Sequence, residues 1–127
     1  MPRSLIAVAL LGMITMPLMA AAPAATPNAW LVGDWMLCKD PDKSPKDTLR
    51  FAADGTGAVL RSKGNIETVY RVRESRVELL ANANGRAIPI TLTFTAARDV
   101  LTVHSEKTGA NATYVRKDGK RVGECDV

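Results

Sequence analysis

The sequence contains few of the side chains that build metal and catalytic sites. Its 127 residues include one His and two Cys. Three such side chains are too few for a zinc site of four Cys, of two Cys and two His, or of three His with water. A single His also makes a Ser-His or Cys-His catalytic set a poor candidate. We therefore expect a protein that is not an enzyme, with no metal site and no cofactor.

Aromatic residues are equally scarce, at two Trp, two Tyr and two Phe. Domains that bind nucleic acids combine clustered basic residues with aromatic side chains that stack on bases. In this chain 17 Lys and Arg are mixed with 13 Asp and Glu, as in the interleaved Arg71, Arg73, Glu74, Arg76 and Glu78. Such mixing is typical of a solvated sheet face, so no nucleic-acid partner is expected.

Long hydrophobic runs are absent except at the N-terminus. Residues 5–16 carry no charge, Arg3 precedes them, and residues 20–25 are all Ala or Pro. A helix of twelve residues spans only about 18 Å, whereas a membrane core is about 30 Å thick. The pattern predicts a secretory signal peptide over residues 1–24, with Ala20 and Ala22 as alternative last residues. A retained membrane span is the weaker alternative.

Cleavage after residue 24 would leave residues 25–127 as a single domain with a net charge of +3 and no membrane span. The domain would be periplasmic or secreted, where conditions favour disulfides. Its two cysteines, Cys38 and Cys125, lie near its two ends. Pairing them closes a loop of 88 residues, for which chain entropy gives about 4–5 kcal/mol of stabilisation. Free thiols and an intermolecular bridge are the alternatives.

The rest of the chain is predicted to form short strands separated by turns, with no sustained helical period. Apolar and polar residues alternate in most of them, and Asp54-Gly55 and Asn84-Gly85 are hairpin signals. Pro89 has no N–H for a ladder, so we expect an edge, a bulge or a strand start there. The eight predicted strands cover residues 30–38, 48–52, 57–62, 66–73, 76–81, 88–95, 100–105 and 112–117.

These strands predict an all-β fold, an eight-stranded antiparallel up-and-down meander. Short links favour pairing of each strand with the next, and closure into a small barrel removes the two exposed edges. The first and last strands would then be neighbours, so a bond between Cys38 and Cys125 would lock the seam. An open two-sheet sandwich is the structural alternative.

Three short motifs resemble those of the lipocalins, and in particular of small bacterial lipocalin-like domains. Gly33-Asp34-Trp35 resembles the Gly-x-Trp signature, and residues 49–57 resemble the second strand with its Asp-Gly-Thr hairpin. Tyr114-Val115-Arg116-Lys117 resembles the last strand. The resemblance covers residues 31–117. The resemblance implies a lipocalin-like barrel in which Trp35 packs across the closed end beneath Arg116, a cation–π contact worth about 0.5–2 kcal/mol.

The predicted inward face is almost entirely aliphatic and includes Leu60. An eight-stranded barrel has an interior that side chains can just fill or that holds one small ligand. A solid core and a small apolar pocket with Tyr70 or Tyr114 as its polar group are both compatible with this composition. His104 is predicted to face outwards. The candidate pocket residues are Phe51, Tyr70, Leu79, Leu92, Phe94, Val103 and Tyr114.

Two functions follow from these alternatives. The first is an exported binding protein that holds a small apolar molecule in the barrel. The second is a periplasmic protein-binding module, of the inhibitor or immunity type, with a filled interior. In that case a basic segment such as residues 39–46 or 117–121 would contact an acidic envelope protein.

The cysteine pairing can be checked directly. We expect a proteolytic digest made without reductant to contain one peptide pair that holds Cys38 and Cys125, and to separate into two peptides after reduction. Finding both thiols free to alkylation before reduction would contradict the predicted bridge.

Overall fold

The computed structural model describes residues 28–126 and shows eight strands in a closed barrel. The predicted signal peptide lies outside the described residues. No helix in the described range has the length and apolarity needed to cross a bilayer. A short 3₁₀ helix, Lys120–Glu124, follows the last strand. The strands are β1 (Gly33–Lys39), β2 (Thr48–Phe51), β3 (Thr56–Leu60), β4 (Ile66–Arg73), β5 (Arg76–Ala83), β6 (Arg86–Phe94), β7 (Val100–His104) and β8 (Asn111–Arg116).

The sheet is an antiparallel meander in which each strand pairs with the next in sequence. The barrel closes where β1 pairs with β8, with Trp35 opposite Arg116 and Met36 opposite Val115. The predicted fold class is therefore confirmed, and the sandwich alternative is wrong. Closure satisfies the backbone of the first and last strands, which would otherwise be exposed edges.

The β5–β6 hairpin shows how local sequence sets the register. Asn84 and Gly85 have φ angles of 52° and 76°, as a two-residue turn of type I′ requires. Pro89 lies opposite Leu80, and β7 pairs with β6 only from Leu92 onwards. Hydrogen-bonded and non-hydrogen-bonded residue pairs alternate along a hairpin, and counting from the turn makes Leu80 and Pro89 a non-hydrogen-bonded pair. The Pro89 nitrogen therefore points away from β5, towards the side on which β7 does not reach this part of β6. The edge expected at Pro89 is confirmed.

The first strand begins at Gly33, three residues later than predicted. Residues 28–31 form a turn instead, in which the Leu31 N–H donates to the Asn28 carbonyl at 2.9 Å. Gly33 has a φ of +128°, and a Cβ there would lie 2.9 Å from Nη2 of Arg116. The close approach of Arg116 to this backbone explains both the glycine and the delayed start of β1.

The inward face of β3 differs from the prediction by one residue. Val59 is buried in the core, and Leu60, which was expected to face inwards, lies on the other face. Gly57 also faces inwards, where a Cβ would overlap the Arg50 carbonyl and lie 2.8 Å from Oγ1 of Thr68. Because residues 59 and 60 are both apolar, the alternation of apolar and polar residues does not indicate which of them faces inwards.

Aromatic side chains fill the end of the barrel where β1 begins. Trp35 is fully buried, and the Trp30 ring meets it edge-on with centroids 6.2 Å apart. Trp30 also packs on Phe94, and Phe51 on Tyr70, with centroid separations of 4.7 and 5.0 Å. This half of the barrel is a solid core, and we call it the closed end.

The disulfide between Cys38 and Cys125 is present, with the two Cα atoms 4.4 Å apart. Cys38 lies at an irregularity in the β1–β8 pairing, and Cys125 lies beyond the 3₁₀ helix. The Asp126 N–H also donates to the Cys38 carbonyl at 3.0 Å. The bond therefore anchors the C-terminal segment to β1, beside the seam that the sequence predicted it would lock. An oxidising compartment favours such a bond.

Thr68 is the one side chain in the described chain whose buried polar atom has no hydrogen-bond partner. It is 5% exposed and lies opposite Gly57 on β3. Since an unpaired buried hydroxyl costs free energy, we expect Thr68→Val to raise the free energy of unfolding by about 1 kcal/mol. Urea unfolding monitored by Trp fluorescence measures the change.

Thr91→Val is the matched control, because Thr91 is exposed on the outer face of β6. Its effect should stay within about 0.5 kcal/mol. A Thr68→Val protein less stable than the wild type would mean that the hydroxyl is satisfied in solution.

Candidate ligand-binding site

A cavity of about 320 Å³ occupies the half of the barrel opposite the closed end. Odd-numbered strands run in the same direction, so the last residue of β5 lies at the end far from the start of β1. Ala83 at that position lines the cavity, together with Leu79 and Ala81 below it. The remaining lining residues are Asp47, Leu49, Val59, Arg61, Ile66, Ile88, Ile90, Leu92, Val103 and Tyr114.

The cavity opens beside the β5–β6 turn. Ile88 faces inwards by strand alternation and lines the cavity, yet it is 44% exposed. Leu79 and Leu92, deeper in the same wall, are almost completely buried. The exposure of the inner wall near the turn identifies this end as the mouth, and we call it the open end.

The structure divides the predicted pocket residues between the two ends. Leu79, Leu92, Val103 and Tyr114 line the cavity. Phe51, Tyr70 and Phe94 do not line it, because they form part of the aromatic packing at the closed end. The Tyr70 hydroxyl donates to the Ala52 carbonyl in the β2–β3 link. Tyr114, and not Tyr70, is therefore the tyrosine of the cavity.

Two charged residues at the open end were missed from the sequence. Asp47 immediately precedes β2, and Arg61 immediately follows β3. Both line the cavity. Strand alternation does not extend to such flanking residues, so no periodic pattern marks them. Only their position in the sequence could have indicated that they lie near each other. The predicted Asp-Gly hairpin joins β2 to β3 at one end, so the residues just outside the other ends of these strands must be close in space.

Asp47 and Tyr114 form the main polar contact of the cavity wall. The Tyr114 hydroxyl donates to Oδ1 of Asp47 at 2.7 Å. Burial raises the pKa of Asp47 above its ordinary value, and the hydrogen bond from Tyr114 opposes this rise only in part. Burial, and then the neighbouring Asp47 carboxylate, raise the pKa of Tyr114. The site therefore holds a partly desolvated carboxyl group at the boundary of an apolar space.

The charges around Asp47 do not neutralise it. None of the ion pairs among residues 28–126 includes this carboxylate. Nearby Asp40 raises its pKa, and Arg61 lowers it to a smaller extent. Arg61 is exposed, and its Nε donates to the Gly64 carbonyl in its own turn at 3.0 Å. Arg61 is thus held towards the β3–β4 link.

A second, more polar cleft of about 250 Å³ adjoins the cavity and shares Asp47, Val103 and Tyr114 with it. His104 lies at this cleft, exposed on the outer side as predicted. Its Nδ1 lies 2.8 Å from Oδ1 of Asn111. Among the described residues, no group of three or more His, Cys, Asp and Glu side chains is arranged to hold a metal ion.

The structure brings the predicted barrel-closing pair together at the opposite end. The Arg116 guanidinium lies 5.6 Å from the centre of the Trp35 ring. Its Nη1 and Nη2 donate to the carbonyls of Trp30 and Val32 at 2.6 and 3.0 Å. Trp35 Nε1 donates to the Leu31 carbonyl at 2.8 Å. These two side chains thus hold three consecutive carbonyls, those of residues 30–32, where the N-terminal turn leads into β1.

Comparison of the chain with protein-family models, with curated proteins and with solved structures found no match. What the structure itself shows is an eight-stranded antiparallel closed barrel.

The raised pKa of Asp47 gives a pH-dependent stability with a definite sign. Because the folded state holds the Asp47 proton more tightly than the unfolded state, this group stabilises the fold at low pH, and its contribution is lost as pH rises through its folded pKa. We expect Asp47→Asn to be more stable than the wild type at pH 7, with a difference that shrinks towards pH 3. Urea unfolding at both pH values measures this difference in stability. The side chains that affect the pKa of Asp47 are Tyr114, Asp40 and Arg61.

Asp34→Asn is the control with the opposite sign. Hydrogen bonds from Arg50, at 2.8 and 3.0 Å, lower the pKa of Asp34. Its contribution is present above the unfolded pKa and is lost as pH falls, so Asp34→Asn should be less stable than the wild type at pH 7. If both variants shifted stability in the same direction with pH, the assignment of Asp47 as a desolvated carboxyl group would be wrong.

Proposed function

We propose that this protein is a non-enzymatic, lipocalin-like binding protein that holds a small apolar molecule in the open end of its barrel. The observation that carries the proposal is the cavity of about 320 Å³ with a mainly aliphatic lining. Its volume is at the lower end of the roughly 300–1,000 Å³ typical of ligand pockets. The bound molecule is correspondingly small.

The contrast between the two ends of the barrel supports this function. Aromatic rings pack the closed end, whereas Ala81 and Ala83 leave space in the wall of the open end. A barrel that served only as a rigid scaffold would gain stability from larger side chains at these two positions. The small residues are thus a structural cost that a ligand would offset.

Export is part of the proposal. The segment over residues 1–24 has the pattern of a secretory signal, and the Cys38–Cys125 bond favours an oxidising compartment. We therefore place the function in the periplasm or outside the cell. There, the ligand is a molecule of the envelope or of the medium.

A protein-binding module is the second candidate, supported by one observation on the outer face. Val69, Leu80 and Pro89 lie side by side across β4, β5 and β6, and Val69 and Leu80 are 52% and 47% exposed. An apolar row of this kind is a feature of interaction surfaces. It is independent of the cavity, so the two candidates are tested separately.

Blocking the mouth tests the binding proposal. Ala83→Phe places a large ring over the cavity, and Ala87→Phe places the same ring on the outer face of the same hairpin. We expect 1-octanol to bind the wild type and Ala87→Phe saturably. Ala83→Phe should bind octanol about tenfold more weakly, because the new ring would keep roughly two methylene groups of the octanol chain from being buried in the cavity. Methyl chemical shifts of Leu79 and Leu92 report the binding.

Equal binding to both variants would place the probe outside the barrel. Absence of saturable binding to the wild type, together with stoichiometric recovery of one envelope protein that depends on Leu80, would favour the second candidate.

A further inference from the structure

We propose that the ligand of the open end is a monocationic amphiphile, a small alkyl or ring compound whose ammonium group binds the Asp47 carboxylate. The inference rests on the proposed function, since it identifies the chemical class that the same cavity would select. It depends on the geometry of the one carboxylate in the cavity wall.

The position of Asp47 suits a polar group at the end of an apolar body. Its carboxylate meets the hydroxyl of Tyr114, whose ring is 7% exposed and belongs to the core cluster. Leu49 and Val59 line the cavity beside it. A ligand whose apolar part contacts these side chains would therefore bring its polar end to Asp47.

Hydrogen bonding at Asp47 leaves room for a donor. A carboxylate has about four acceptor positions, and Tyr114 uses one on Oδ1. Positions remain for the N–H groups of an ammonium, which carries up to three donors and no acceptor. A ligand carboxylate offers no donor and would face Asp47 with a like charge.

The surrounding charge favours a cation over an anion. No basic side chain among residues 28–126 forms an ion pair with Asp47, and Asp40 affects its pKa more strongly than Arg61 does. An ammonium would offset both the burial of Asp47 and its repulsion from Asp40. Arg61, the candidate contact for an anion, is exposed, and its Nε is bonded to the Gly64 carbonyl.

The cavity volume limits the apolar part to a single short chain or a ring. About 320 Å³ equals the space of about ten water molecules, at about 30 Å³ each. An alkyl chain of about eight carbons fills such a space, and a lipid with two long chains exceeds it. The matched probes are therefore 1-octylamine, 1-octanol and octanoate, which differ only in the charge and hydrogen bonding of the polar end.

Isothermal titration calorimetry of the full domain with these three probes tests the inference. At pH 7 we expect octylamine to bind at least about tenfold more tightly than octanoate, because a charge-assisted hydrogen bond to a partly buried group is worth about this factor. Octanol should bind with intermediate affinity. This comparison uses the wild-type protein and does not depend on the folding of any variant.

Two variants locate the charge that is responsible. Asp47→Asn keeps an oxygen acceptor for Tyr114 and removes the charge, so octylamine affinity should fall about tenfold while octanol affinity stays within about twofold. Asp54→Asn changes the net charge equally in the β2–β3 turn at the closed end. It should leave the affinities for all three probes unchanged.

The possible outcomes separate the inference from the function beneath it. Equal affinity for all three probes, or tighter binding of octanoate, overturns the cationic ligand class and leaves the apolar cavity as the binding site. An equal loss of octylamine affinity in Asp47→Asn and Asp54→Asn also overturns it, since the effect is then one of net charge. Failure of all three probes to bind overturns both the inference and the proposed function.

Discussion

The contact of Arg116 with Trp35 is the constraint on which the rest of the structure depends. One guanidinium covers the indole ring and holds the carbonyls of Trp30 and Val32, while the indole N–H holds that of Leu31. These bonds join the last strand, the first strand and the turn before it. Because they fold residues 28–31 across one end of the barrel, that end is closed, and any molecule inside must enter from the other.

The two ends of the barrel consequently differ in how tightly they are packed and in how much they contribute to stability. The closed end has interlocking aromatic rings and satisfied backbone groups, as expected of a core that supplies stability. The open end has small wall residues, an exposed Ile88 and a carboxyl group at Asp47 that burial disfavours in its charged form. The unpaired hydroxyl of Thr68 also costs stability and lies nearer the closed end, but the small wall residues and the desolvated carboxyl group occur together at the open end, as is typical of functional sites.

The sequence was a good guide to the strands and a poor guide to the height of each side chain along the barrel. The limits of β4 follow from clean alternation between turn residues, and they were predicted exactly at Ile66 and Arg73. Alternation assigns a side chain to a face, but strand stagger decides which end it reaches. Phe51 and Phe94 therefore face inwards as predicted, but they lie at the closed end and do not line the cavity. Asp47 was missed because it precedes its strand.

The open end of the barrel contains an accessible, mainly apolar cavity, whereas the closed end is solid. Diffraction from crystals pressurised with xenon tests this difference between the two ends directly, because xenon binds in apolar cavities. We expect xenon density bounded by Leu79, Leu92 and Val103, and none beside Trp35. A barrel in which inward side chains or ordered water fill that space, with no xenon bound, would contradict this expectation.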